Sequence, residues 1–246
     1  MNADVEGIAG QAPLLEISGL AAGYRGQVVL ENFDLHVFQG DRVALVGPNG
    51  CGKSTLLRAV TGVIRRDHGT IRLKTNSLDG LSTEAIIKSG IGYLKQTWNI
   101  FPGLTVEDNL RLAHLDGRDG SVSRRAEILG RFPMLEGLSE RRAGLLSGGQ
   151  RQALALAMVL MRRVDLLLVD EPVAGLSPDN AAALLASLDA LQRRENFSFL
   201  IVEHRLRAIA PWVNRVLVMT RGQIVEDTRD TSVLTNRTRL ERHYLL

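Results

Sequence analysis

The residues Gly47-Pro48-Asn49-Gly50-Cys51-Gly52-Lys53-Ser54 set glycines, a lysine and a hydroxyl at the spacing G-x-x-x-x-G-K-[ST]. Glycines allow the backbone to curl until several N–H groups face one anion. At this spacing Lys53 reaches the outer phosphates of a nucleoside triphosphate, and the Ser54 hydroxyl suits Mg²⁺. The aliphatic run Val43-Ala44-Leu45-Val46 leads in and Ser54-Thr55-Leu56-Leu57 opens a helix leading out, so the cradle also gains the positive end of that helix. A turn that merely contained Lys-Ser would lack this strand, loop and helix in register. Cys51 has two readings: a thiol activated by the helix end and Lys53, or a small side chain filling a small-residue position.

A carboxylate pair, Asp170-Glu171, closes the apolar run Leu166-Leu167-Leu168-Val169. An acid at the C-terminal end of such a strand binds Mg²⁺ directly or through water. Glu171, one residue on, is expected to point elsewhere, towards the terminal phosphate, where a carboxylate orients and deprotonates water. A surface turn explains either acid alone, but not both beside an intact phosphate loop. Ser177-Pro178 then caps a helix whose Leu184, Leu188 and Leu191 form a buried stripe. Upstream, Ser147-Gly148-Gly149-Gln150 opens another helix with a capping serine and two glycines, a second anion site. One phosphate chain cannot easily occupy two cradles of one domain. The second is therefore expected to serve nucleotide held by another molecule.

Alternating aliphatic runs and helical patterns position these groups. Strands are predicted at 14–18, 28–37, 42–46, 70–73, 91–95, 166–169, 198–202, 215–219 and 223–226, which gives an α/β fold. The opening pair and the hairpin around Arg221-Gly222 are expected to be antiparallel. Between 97 and 163 no buried strand is predicted. Helical patterns at 124–130 and 150–161 place an inserted helical subdomain there instead. The expected division is 14–96 for a β subdomain with the phosphate loop, 97–163 for the helical subdomain, and 164–246 for the rest of the nucleotide-binding core.

Composition sets outer bounds. A chain of 246 residues with 45% apolar and only 4% aromatic content suits one large α/β domain with an aliphatic sheet core. Thirty basic residues against 27 acidic leave a net charge of +3, which gives no argument for nucleic acid. No run of eighteen apolar residues exists, so nothing here is expected to span a membrane by itself. The first six residues lack the basic patch and apolar core of a signal peptide, and a single cysteine fits the reducing cytosol. The expected location is cytoplasmic, held on the inner face of the membrane only through other subunits.

Leu146-Ser147-Gly148-Gly149-Gln150, standing with the two motifs above, resembles the ABC-type ATPases, and the resemblance covers 14–246. It implies a P-loop NTPase core with an antiparallel β subdomain and an inserted helical subdomain. It implies ATP and Mg²⁺ as cofactors, and hydrolysis between two facing cassettes, the L-S-G-G-Q of one closing on nucleotide held by the other. Three residues that alone would read as a turn, a polar strand end and a polar cap gain roles from it. Tyr24 would stack on adenine, Gln96 would touch Mg²⁺ and the attacking water and sense the membrane partner, and His204 would contact the γ-phosphate. Where the family commonly has S-A-L-D after the acid pair, this chain has Ala174-Gly175-Leu176-Ser177. That departure bears on contacts between the two subunits more than on hydrolysis. His36, His68, His114 and His243 show no ligand spacing.

Within the family, Glu171-Pro172-Val173-Ala174-Gly175-Leu176-Ser177-Pro178 is similar to the E-P-x-A-G-L-x-P of ATPases for branched-chain amino acid and urea import. The runs 91–96 and 100–110, Val202-Glu203-His204 and the terminal Glu241-Arg242-His243-Tyr244-Leu245 resemble the same group, although Lys95 replaces its usual proline. Lipopolysaccharide-export ATPases share much of the runs 91–96 and 100–110 and of the terminal run, and form the alternative. Soluble ABC ATPases acting on chromosomes, DNA repair or ribosomes typically need long coiled coils or two linked cassettes, which this chain lacks. A catalytically inactive cassette is opposed by Lys53, Asp170, Glu171 and His204. The partners implied are transmembrane permease subunits, a second ABC ATPase subunit, identical or paralogous, and, through an importer complex, a secreted solute-binding protein. No nucleic acid is implied. After Gln96, the residues Trp98, Ile100, Phe101 and Leu104 have two readings: a groove for a short permease helix, or the core of the helical subdomain.

Overall fold

Val43 and Leu45 enter one hydrophobic core while Ala44 and Val46 enter another, and the same alternation divides 166–169, 199–202 and 216–219. Strands that are apolar on both faces settle only where both faces are covered, so these runs form the middle layer of a sandwich.

The computed structural model describes residues 11–24, 26–97, 99–114 and 121–244. The chain runs through β1 (Leu15–Tyr24), β2 (Gln27–Val37), β3 (Arg42–Val46), α1 (Lys53–Val60), β4 (Arg66–Leu73), β5 (Asn76–Ser77), α2 (Thr83–Lys88) and β6 (Ile91–Leu94). Helices α3 (Val106–Ala113), α4 (Ser121–Leu129) and α5 (Gly148–Leu160) follow. The remainder comprises β7 (Leu166–Asp170), α6 (Pro178–Glu195), β8 (Ser198–Val202), α7 (Leu206–Ile209), β9 (Arg215–Thr220), β10 (Gln223–Thr228) and α8 (Arg237–Tyr244).

One sheet has the order β10-β9-β3-β8-β7-β6 and is parallel except for β10, which pairs antiparallel with β9. The β9–β10 turn holds Arg221 at φ 49° and Gly222 at φ 78°, the left-handed pair of a tight two-residue hairpin. The other sheet, β2-β1-β4-β5, is antiparallel throughout. Here β1 runs six residues beyond its predicted end at 18. Its register slips between Ile17 and Leu20, where Gly19 takes φ 58° and donates its N–H to Asp34 Oδ1 at 2.8 Å, and slips again between Leu20 and Ala22, where β2 carries Asn32 at φ 47°. The bulge carries the strand on past Gly19.

From β6 to β7 the described residues form helices, with a single isolated bridge between Thr105 and Arg142. Ala153, Leu154, Ala155, Leu156 and Ala157 are all buried, so α5 is covered on every side. It packs on α3 and α6 and against β6. Among the described residues, no helix is long and apolar enough to cross a membrane.

Candidate active site

The phosphate-type loop joins β3 to α1, and it closes tightly. A Cβ on Gly47 would lie 2.0 Å from the Met219 carbonyl oxygen and 2.9 Å from Cys51 Sγ, so no larger residue fits there. Gly52 stands at the N-cap of α1 and offers no side-chain acceptor. The N–H groups of the first turn, through Ser54 and Thr55, thereby receive no side-chain cap, an arrangement that can accept an anion. Lys53 is buried, and its Nζ donates to the carbonyls of Gly47 at 2.8 Å and Pro48 at 2.9 Å, with Cys51 Sγ at 3.8 Å. Pro48, Asn49 and Gly50 form the rim of the same turn. Burial pushes the Cys51 thiol above its usual pKa, against the nearby Lys53 charge. Of the two readings of Cys51, the geometry favours a packed small side chain.

The parallel register of β7 and β8 places Asp170 beside Val202, which brings the two loops after these strands together. Ser54 Oγ donates to Asp170 Oδ1 at 3.3 Å. Burial raises the Asp170 carboxyl above its ordinary pKa, and the neighbouring Glu171 acts in the same direction against the Ser54 hydrogen bond. Glu171 takes φ 52°, an uncommon conformation for a residue with a side chain, and its N–H donates to the Val202 carbonyl at 2.8 Å. Gln96 Nε2 donates to Glu171 Oε2 at 2.9 Å, while His204 Nε2 lies 3.2 Å from Glu171 Oε1. Gln96 and His204, far apart in the chain, thus meet on the Glu171 carboxylate.

Several supporting residues escape a reading of the sequence. Glu203 is buried; its Oε1 accepts from the N–H groups of His204 and Arg205, and its Oε2 accepts from Val173 N–H. Arg205 Nη1 donates to the carbonyls of Val173 and Leu176. These two side chains bracket His204 and tie its loop to the segment after Glu171. Arg58, one helical turn beyond Ser54, donates to the Tyr24 hydroxyl at 3.0 Å. Tyr24 ends β1 half-exposed, and Tyr93 on β6 has its phenol pKa raised by burial and by Asp170.

Ser147 caps α5 through a reciprocal pair, its Oγ accepting from Gln150 N–H and Gln150 Oε1 accepting from Ser147 N–H. Gly148 and Gly149 form the first turn between them. No hydrogen bond or ion pair among the described residues joins 147–150 to 47–54. Trp98 lies outside the described residues. Phe101 is 53% exposed, and Ile100 packs against the core on the sheet's helical side.

A family model described as ABC transporter matches residues 30–174. The chain is 34% identical over 212 residues to a probable branched-chain amino acid transport ATP-binding protein, LivF, of Archaeoglobus fulgidus, covering 86% of this chain and 90% of the relative. It is 34% identical over 215 residues to a high-affinity branched-chain amino acid transport ATP-binding protein, BraG, of Pseudomonas aeruginosa, covering 87% and 92%. Among solved structures, a nucleotide-free ATP-binding cassette from an ABC transporter superposes with a TM-score of 0.84 at 26% identity, covering 95% of this chain and 99% of that one. The fold, the glycine-lined loop and a match across more than half of the sequence lead to one conclusion: this chain belongs to the ABC transporter family, as an ATP-hydrolysing cassette coupled to transport.

Proposed function

We propose that the chain drives an importer for branched-chain amino acids or a related small polar solute. The observation that carries the catalytic reading is the convergence of Gln96, Glu171 and His204 one residue from the Asp170–Ser54 contact. On this reading Gly47, Gly50, Gly52 and the first N–H groups of α1 wrap the phosphates, and Lys53 exchanges its carbonyl partners for phosphate oxygens. Tyr24 supplies the adenine face, with Arg58 steadying its hydroxyl. Glu171 takes the proton of the attacking water, Gln96 orients that carboxylate, and His204 stands where it can contact the γ-phosphate.

Among the described residues no cluster of three His, Cys, Asp or Glu side chains forms a metal cage. Ser54, Asp170 and Gln96 instead provide a few hard oxygen donors, which suits Mg²⁺, an ion that keeps water and phosphate ligands. When bound, Mg²⁺ neutralises charge on the phosphate oxygens. Ser147, Gly148, Gly149 and Gln150 serve nucleotide on a second cassette.

The cell-membrane partners are permease subunits, and a cleft of about 350 Å³ directly after Gln96 suits one of their segments. Ile91, Tyr93, Ile100, Phe101, Met158 and Val159 line it, between β6 and α5. The solute class rests on the Glu171–Pro178 pattern and on the branched-chain relatives. Co-reconstituting the chain with its permeases and binding protein should give ATP-dependent uptake of leucine, isoleucine or valine, with competition among the three. A complex that ignores these solutes and extracts lipopolysaccharide from vesicles would overturn the solute class while leaving the ATPase reading in place.

Cys51 supplies a separate check on the phosphate loop. With its thiol buried and its pKa raised, alkylation should be slow at neutral pH and should still be accelerating above about pH 8.5, the ordinary thiol value. Saturating MgATP should slow it further, because phosphates fill the loop that the thiol borders. Equal labelling rates with and without MgATP would place the thiol outside the loop.

A further inference from the structure

Arg124 on α4 is a buried arginine with every donor engaged. Its Nε donates to the Met161 carbonyl at 3.4 Å and its Nη2 to the Leu160 carbonyl at 2.6 Å, which caps the C-terminal end of α5. Nη2 also donates to Glu195 Oε2 at 3.0 Å, and Nη1 donates to Glu195 Oε1 and to Glu127 Oε2 at 3.2 Å. That places an acceptor on each of the five N–H groups of the guanidinium. Glu195 closes α6, and the side chains of Arg124 and Glu195 are each only 9% exposed. The neighbouring residue of α6, Arg194, returns the interaction by pairing with Glu127 at 3.0 Å. Arg125 extends the cluster to Glu107 on α3 at 2.7 Å.

The geometry points to Arg124 as a positioning residue that sets the angle of α5, and hence the placement of Ser147–Gln150, against the sheet-bearing core. This rests on the proposal that the Ser147 end serves nucleotide on a second cassette. Helix α5 has 13 residues, so its capped end lies about 20 Å from Arg124. With that lever, a tilt of about 5° at the Arg124 end displaces the Ser147 end by about 2 Å. Misplacements of about 1 Å are enough to cost about 10²-fold in an assembled site. Arginine is the residue this role needs, since a lysine ammonium cannot grip two carbonyls and both oxygens of Glu195 together. The phosphate loop lies on the sheet rather than on α5. Its grip on nucleotide in a single cassette should therefore not depend on Arg124.

The test uses the full chain in a Glu171→Gln background, which should hold ATP unhydrolysed and pair with a second copy. Arg124→Met should raise the ATP concentration needed for half-maximal dimerisation by about fivefold or more, the lower range of coupling between sites. Affinity of the single cassette for a fluorescent ATP analogue should stay within about twofold. Glu195→Gln and Arg124→Lys should fall between parent and Arg124→Met. They carry the test alone if Arg124→Met fails to bind the analogue. A Leu184→Ala variant with a matched loss of Tm controls for stability, because a merely structural arginine would behave like it. Dimerisation at the parent's ATP concentration in these variants, or equal loss in the control, overturns the inference. If the Glu171→Gln parent itself never dimerises with ATP, the two-cassette proposal falls and takes this inference with it.

Discussion

Glu171→Gln is expected to bind ATP as the parent does and to lose about 10²–10⁴-fold of its turnover, the ordinary contribution of a positioned general base. The amide retains the shape of the carboxylate. Its oxygen can still accept from Gln96 Nε2, now 2.9 Å from Glu171 Oε2, and its NH₂ can still face His204. What it cannot do is take a proton from water. Phosphate release under saturating MgATP, measured beside equilibrium binding of a fluorescent ATP analogue, separates the two effects. Loss of binding along with turnover would mean that the left-handed turn at Glu171 needs its carboxylate to form. Hydrolysis at half the parent rate or better would remove Glu171 as the base.

The parallel sheet was legible because β3, β7, β8 and β9 are apolar on both faces, a pattern that few other settings tolerate. The antiparallel sheet was legible only in part. Strand β4 begins at Arg66 rather than at 70, through Arg66-Asp67-His68-Gly69, whose residues face water or lie at its edge and carry no apolar signature. Helix α3 carries a cap in plain view, Thr105 accepting from Asp108 N–H, but eight residues with polar positions between give a weak period. The strand, glycine-lined loop and helix around 47–54 could be read because their spacing is local. The contacts around Glu171 could not, since they depend on strand order: β7 pairs with β8, and only that pairing sets His204 beside Glu171. Arg58, Glu203 and Arg124 act through partners on other elements, and nothing in their own neighbourhoods announces it.

At the opposite end of the same sheet, Arg215→Met is expected to cost about 3–5 kcal/mol of stability, the usual result of removing one partner from a buried ion pair. Arg215 is 2% exposed and opens β9. It donates to Asp41 Oδ2 at 2.7 Å and the His36 carbonyl at 2.9 Å, and grips Asp227 through Nε at 2.8 Å and Nη2 at 2.6 Å. One guanidinium therefore joins β2 of the antiparallel sheet to β9 and β10 of the parallel one. Methionine fills much of the volume but leaves Asp41, itself 2% exposed, with the half-exposed Arg229 at 3.0 Å as its one cationic partner among the described residues. Asp227 loses both of the bonds that Arg215 gives it. For a chain of this length, about 2–4 °C of Tm accompanies each kcal/mol, so the expected fall is about 6–20 °C. Adding Asp227→Asn should recover part of that loss, because one of the two stranded charges is gone. Arg215→Lys should lie between, keeping charge without the fork. The phosphate loop leaves the other end of β3, so turnover well below the new Tm should match the parent. A fall of less than about 3 °C would show that water, rather than Arg215, satisfies the two aspartates.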